Sequence, residues 1–272
     1  MSDPMIEIVK PSTMREALRI LARTSPRALP LGGGTQVSLF PTSAKVLVDL
    51  SELALAGIRV RGGRCEAGAM TTLAQIAASP RIPAALQAAV LRETNRNLRQ
   101  QATLGGALAV REPGPLLACL LALGAEVSLE PGKVVEGLDG WLRRRLTGRK
   151  PAQLITGASW NSKQTLAYVD VARAPADRPI ACVAAAAVVK SGRLGNVRVV
   201  LGGAGQPLAL QLSPARLMEG VAVADLDRTM EAAGGVIRAP WVDDIRGTAE
   251  YRTAVAPILI RRALAHLLSA GA

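Results

Sequence analysis

Hydrophobic and polar positions recur along this chain with two different periods, and the changes of period mark its elements. Ser12-Thr13 caps an amphipathic helix over residues 15–23, with Ala17, Leu18, Leu21 and Ala22 on one face. Residues 28–31 form a short apolar strand that runs into Gly32-Gly33-Gly34, and residues 45–50 (KVLVDL) are β-branched and strand-like. Residues 57–69 read as a hairpin turning at Gly62-Gly63. Thr71-Thr72 then caps a helix over 73–78, and 82–91 is a second helix. A polar stretch leads into a second glycine-rich loop, Thr103-Leu104-Gly105-Gly106-Ala107. Residues 115–123 are strongly apolar and helical, 125–129 alternate as a strand, and 153–156 form a short strand. Between Pro131 and Pro151, glycines and prolines interrupt a segment centred on Trp141. Residues 165–171 and 180–190 are strands, the second nearly all apolar and therefore buried on both faces. A turn at Ser191-Gly192-Arg193 pairs it with 197–201, and helices over 214–219, 225–233 and 248–268 close the chain. The pattern predicts an α+β fold: a split first half, then an antiparallel sheet with helices.

With 272 residues the chain exceeds the usual single-domain size, which predicts two or three lobes. It is 49% hydrophobic with only six aromatic residues, so its cores are aliphatic. Cys65, Cys119 and Cys182 are scattered, with neither metal spacing nor a disulfide framework, which fits a reducing cytoplasm. They lie in apolar surroundings and behave as small hydrophobes. No apolar leader opens the chain, and the longest apolar run, 180–189, is about half a bilayer-spanning helix. These features predict a soluble cytoplasmic protein without a membrane span.

The net charge of +12 is carried by dispersed arginines with no aromatic residues interleaved, so a nucleic-acid partner is not expected. The charge suits acidic partners or polyanionic cofactors. Arg143-Arg144-Arg145 reads as solvated surface or a docking patch. His266, the single histidine, stands among leucines of the final helix and reads as structural. No nucleophile–base constellation can be built around it, so neither catalytic nor metal-ligating residues are expected.

The two glycine loops are the candidate chemistry. Glycine lets backbone approach a ligand closely, and consecutive N–H groups in such turns bind anions. Neither loop carries a lysine, which points to a diphosphate held by backbone rather than to a catalytic phosphate site. A Rossmann fingerprint is absent, because no G-x-G-x-x-G opens a helix within a βαβ unit.

Five stations in order carry a resemblance over nearly the whole chain. They are Gly32-Gly33-Gly34-Thr35-Gln36 after a strand; Val48-Asp49-Leu50; Gly68-Ala69-Met70-Thr71-Thr72; the run from Arg99 through Thr103-Leu104-Gly105-Gly106-Ala107; and Ala249-Glu250-Tyr251-Arg252 with Arg261-Arg262-Ala263-Leu264. In these the chain resembles the FAD-binding (medium) subunit of the molybdenum hydroxylases, the xanthine, carbon monoxide and aldehyde dehydrogenase type. The resemblance implies a two-lobed FAD-binding domain over residues 1–164, with lobes of about 1–56 and 57–164, and a C-terminal flavoprotein domain over 165–272. It implies FAD as cofactor, with its diphosphate at Leu31, Gly32, Gly33, Gly34, Thr35 and Gln36 and at Thr103, Gly105, Gly106 and Ala107. It also places Leu154-Ile155 at the flavin. Tyr168 is either a ring-stacking flavin contact or an ordinary strand aromatic. The implied partners are a molybdenum-cofactor large subunit and a 2Fe-2S small subunit in a hetero-oligomer, with electrons passing from the clusters to NAD or another acceptor.

The chain departs from the family pattern in places. Ala107 stands where an asparagine is usual, and no aspartate follows Pro113, with Glu112 the nearest carboxylate to replace it. A lysine after Tyr168 and an aromatic near Asp177 are also missing. These losses keep a second reading open, a non-catalytic scaffold or assembly subunit with lost or weakened FAD binding.

Overall fold

The computed structural model describes residues 6–37, 44–110, 113–146, 153–174 and 177–270. In the first part β1 (Glu7–Val9), α1 (Met14–Leu21), β2 (Ala28–Leu31) and β3 (Val46–Asp49) follow one another, and the strands form a parallel sheet in the order β1-β3-β2. Thr13 caps α1 by accepting the Glu16 N–H, and Ala17 and Ile20 pack onto Val46, Val48 and Leu50.

The hairpin β4 (Ile58–Arg61) and β5 (Arg64–Gly68) opens the second part. Its turn residues Gly62 and Gly63 have φ of +58° and +78°, a left-handed pair that favours glycine at both positions. Five helices follow: α2 (Leu73–Ala78), α3 (Ala84–Leu91), α4 (Arg96–Arg99), α5 (Leu104–Ala109) and α6 (Pro115–Ala122). Then come β6 (Glu126–Glu130), β7 (Val134–Gly137), α7 (Leu138–Leu146) and β8 (Leu154–Asn161), which complete an antiparallel sheet ordered β4-β5-β8-β6-β7.

The third part is an antiparallel sheet of β9 (Thr165–Val171), β10 (Ala181–Lys190), β11 (Arg193–Gly203) and β12 (Gln206–Leu210), ordered β12-β11-β10-β9. It is followed by α8 (Leu212–Leu217), α9 (Leu226–Gly234) and α10 (Ala249–Ala270). β10 is covered on both faces, as its composition predicts. Cys182, Ala184 and Ala186 share one core with α6, while Ala181, Val183, Ala185 and Ala187 share another with α10. This is the period of two expected of a strand between two layers, and its alanines admit helices close on either side. α6, apolar all round, is buried at every position. By length and composition α10 could span a membrane. Its apolar face, including Leu259, Ile260, Leu264 and Leu268, is instead buried on the sheet.

Several elements differ from the sequence expectation. The second glycine-rich segment is not a loop: Thr103 is the N-cap of α5, and Gly105 and Gly106 lie in its first turn. The Trp141 segment holds a strand and a helix, β7 and α7, and β8 is twice the length expected. β1, α4 and β12 carry no clear periodic signal and were not anticipated.

Candidate functional site

The two glycine stations, about seventy residues apart in sequence, are in contact. A Cβ at Gly33 would stand 1.6 Å from the Gln101 carbonyl oxygen, and one at Gly32 would stand 2.7 Å from Thr103 Oγ1. A Cβ at Gly105 would meet that of Ala69 at 2.9 Å. At these three positions glycine is required by close approach. Gly34 is different, with φ of +71°, and turns the first loop.

The remaining stations hold this contact in place. The Thr71 hydroxyl donates to Gly57 O and accepts the Gly57 N–H. Thr72 caps α2 in a capping box with Gln75 and bridges Thr103. Leu73 N–H donates to Ala102 O, Leu104 N–H to Thr71 O, and Gly105 N–H to Ala69 O. The Gly-Ala-Met-Thr-Thr segment is thus the seat on which the second glycine station rests.

As sources of free N–H groups the two stations are unequal. In the second, the amides of Leu104, Gly105, Gly106 and Ala107 donate to Thr71 O, Ala69 O, Thr103 Oγ1 and Thr103 O. Thr103 Oγ1 accepts the Gly106 N–H at 3.2 Å and retains its own proton for a ligand. In the first, the amides of Gly32, Gly33, Thr35 and Gln36 have no acceptor among the described residues.

Both stations border a cavity of about 1090 Å³, a size at the upper end for small-molecule sites. Gly32, Thr103, Gly105, Gly106 and Ile155 line it, with Leu154 beside Ile155. Leu31, Gly33, Gly34, Thr35 and Gln36 flank Gly32 but are not in the lining, and neither is Ala107, which packs against the large core. Tyr168 is not in the lining either. It packs into the core with its hydroxyl beside the Cys182 thiol and near Glu93, and burial pushes its pKa far up. Its placement is that of the strand aromatic rather than of a ring-stacking contact. Arg111 and Glu112 lie outside the described residues.

Most of the rest of the lining carried no signal in the periodicity. Met70, Leu117, Trp141 and Leu142 are apolar, β12 and the turn before it contribute Gly205, Pro207, Leu208 and Leu210, and α7 contributes Arg143, Arg144 and Arg145. Arg145 donates to the carbonyls of Leu108, Ala109 and Val110 at the end of α5, and its guanidinium lies 5.4 Å from the Trp141 ring centroid. Arg143 pairs with Asp139 at 3.0 Å, and Arg144 pairs with Glu136. Burial works to raise the Asp139 carboxyl, but the Arg143 hydrogen bond, the Gly140 N–H and nearby positive charge hold it below its ordinary value.

Among the described residues, the one carboxylate in the lining, Asp139, is engaged by Arg143, and no cysteine or histidine lines the cavity. The Cys65 thiol is pushed up to about 11 by burial and the Glu66 charge, and Cys119 and Cys182 are raised further by burial, so all three stay protonated. His266 is exposed on α10, and the described residues contain no cluster of metal-ligating side chains.

Residues 4–157 match the family model described as FAD binding domain in molybdopterin dehydrogenase. The carbon monoxide dehydrogenase medium chain of Afipia carboxidovorans is 29% identical over 276 residues, covering 94% of each chain. The nicotine 6-hydroxylase medium subunit of Paenarthrobacter nicotinovorans is 26% identical, covering 96% of each. The solved carbon monoxide dehydrogenase from Hydrogenophaga pseudoflava, a form lacking the Mo-pyranopterin moiety, superposes with a TM-score of 0.83 at 22% identity over 99% of each chain.

Proposed function

The chain belongs to the FAD-binding medium subunits of the molybdenum hydroxylases, and on that footing we propose that it carries electrons between subunits through an FAD seated in the cavity described above. The observation that supports this placement is the contact of the two glycine stations at the edge of that cavity. The amides of Gly32, Gly33, Thr35 and Gln36 and the Thr103 hydroxyl suit phosphate oxygens, and the apolar surface of Met70, Leu154 and Ile155 suits a flat ring system. The residues present therefore fit the group.

When bound, the flavin supplies the redox chemistry. The protein's part is to hold, orient and shield it. Gly32 and Gly33 bring the first loop against the second station, Thr103 offers a proton to a phosphate oxygen, and Leu154 and Ile155 exclude water from the ring. No acid or base is required of the chain for this role. Electrons would arrive from a 2Fe-2S small subunit, after oxidation of substrate on a molybdenum large subunit, and leave to NAD or another acceptor.

The visible spectrum of the purified chain tests this reading. Flavin absorption, with FAD released on denaturation, is the expected result. A colourless protein that FAD cannot reconstitute would overturn the reading in favour of an assembly scaffold, the role to which the committed amides of α5 and the missing carboxylate after Pro113 point.

A further inference from the structure

The arginines of α7 have no part in the function so far described. Arg143 and Arg144 line the same cavity as Gly105 and Gly106, and with Arg145 they set three guanidinium groups on its wall against one lining carboxylate, Asp139. Arg145 is committed to the carbonyls ending α5 and pins α7 in place. Arg143 and Arg144 are each leashed by a neighbouring acid, Asp139 one turn back and Glu136 in β7. Exposed pairs of this kind are weak and readily exchanged. A cationic wall facing an otherwise apolar cavity concentrates positive potential inside it. In α5, whose end Arg145 holds, the amides of Leu104 to Ala107 are already occupied.

Resting on the reading that this cavity takes FAD, we propose that Arg143 and Arg144 bind the cofactor's diphosphate. They supply the charge that the amides of α5 do not. A guanidinium meets two phosphate oxygens at once through its forked N–H groups, and it keeps its charge at any working pH. At Arg143, exchange of Asp139 for phosphate needs only side-chain rotation, since α7 itself is held by Arg145. The arrangement also gives the cavity a preference for dinucleotide flavin over a flavin without phosphate.

The test uses the full-length chain, with any subunits that purify with it, stripped of FAD. FAD and riboflavin are titrated by fluorescence into wild type, Arg143→Gln/Arg144→Gln and Arg143→Lys/Arg144→Lys. The Gln pair should bind FAD about tenfold or more weakly at low salt, with the difference shrinking as salt screens the charge. Riboflavin binding should be unchanged, and the Lys pair should keep most of the wild-type salt dependence. The melting temperature without FAD should not move, because the two side chains are 71% and 45% exposed. If the double variant does not fold, Arg143→Gln carries the same comparison. Equal FAD affinity and salt dependence in wild type and Gln pair would overturn the proposal and leave the FAD reading standing. Equal weakening of FAD and riboflavin would overturn it as well. A wild type that binds no FAD would remove both.

Discussion

Arg252 has no exposed surface, yet each nitrogen of its guanidinium is used. Nε donates to Ile180 O at 2.9 Å, Nη1 to Val242 O and Gly247 O, and Nη2 to Asp244 Oδ1 at 2.6 Å. The Tyr-Arg station of the sequence is thus a clasp between α10, the start of β10 and the 242–247 segment. Arg252→Met would strand these acceptors and is expected to cost about 3–5 kcal/mol, read from urea unfolding. Burial works to raise the Asp244 carboxyl, but the Arg252 hydrogen bond, the Arg246 and Gly247 N–H groups and the Arg252 charge hold it below its ordinary value. A carboxylate more acidic folded than unfolded stabilises fully above its unfolded pKa of about 3.9 and loses that contribution as pH falls through the lower folded value. Asp244→Asn should therefore be less stable than wild type at neutral pH, with the gap narrowing on acidification below about pH 4. The glycines show how far a single residue could be read from sequence. That glycine is required at positions 32, 33 and 105 was legible; the reason was not. Backbone freedom is used at Gly34, whereas at the other three the cause is contact between segments remote in sequence. Gly33→Ala is expected to cost at least about 3 kcal/mol by forcing the two stations apart, so loss of FAD in that variant would report packing as much as binding.

At the level of elements, period and burial agree wherever one element meets one layer. β10 was legible as a doubly covered strand and α6 as a buried helix, because an uninterrupted apolar run leaves no face for water. Leu120, fully buried in α6, should cost about 2–5 kcal/mol on replacement by alanine, measured as a shift in denaturation midpoint. α5 was misread because two glycines in a first turn are poor helix formers. The Thr103 cap and the seat provided by Ala69 and Thr71 outweigh that preference. α7 was hidden by the glycines and prolines around it. Its arginines read as solvated because periodicity reports which face is polar, not what stands opposite that face. They line the same cavity as the glycine stations, with Arg145 tied to the end of α5.

On the scale of the whole molecule, one core joins the five-stranded and four-stranded sheets, since Trp160 and Leu129 belong to the same cluster as Cys182, Ala184 and Val200. Thermal unfolding should therefore show a single cooperative transition, with calorimetric and van't Hoff enthalpies in agreement. Residues 165–272 expressed alone should aggregate, because the face of β10 that α6 covers would be bare. The fold class was legible because it depends on the order of periods along the chain. The cavity was only half legible, because its walls are drawn from segments between Leu29 and Leu50, between Ala69 and Ile155, and between Gly205 and Leu210. That distribution sets an order of events during synthesis. Until the last of these segments leaves the ribosome the cavity lacks a wall, so a flavin seated as we propose would have no complete seat on a nascent chain. On that proposal, loading of the cofactor would follow translation of most of the protein and would mark each loaded copy as one whose three sheets have already met.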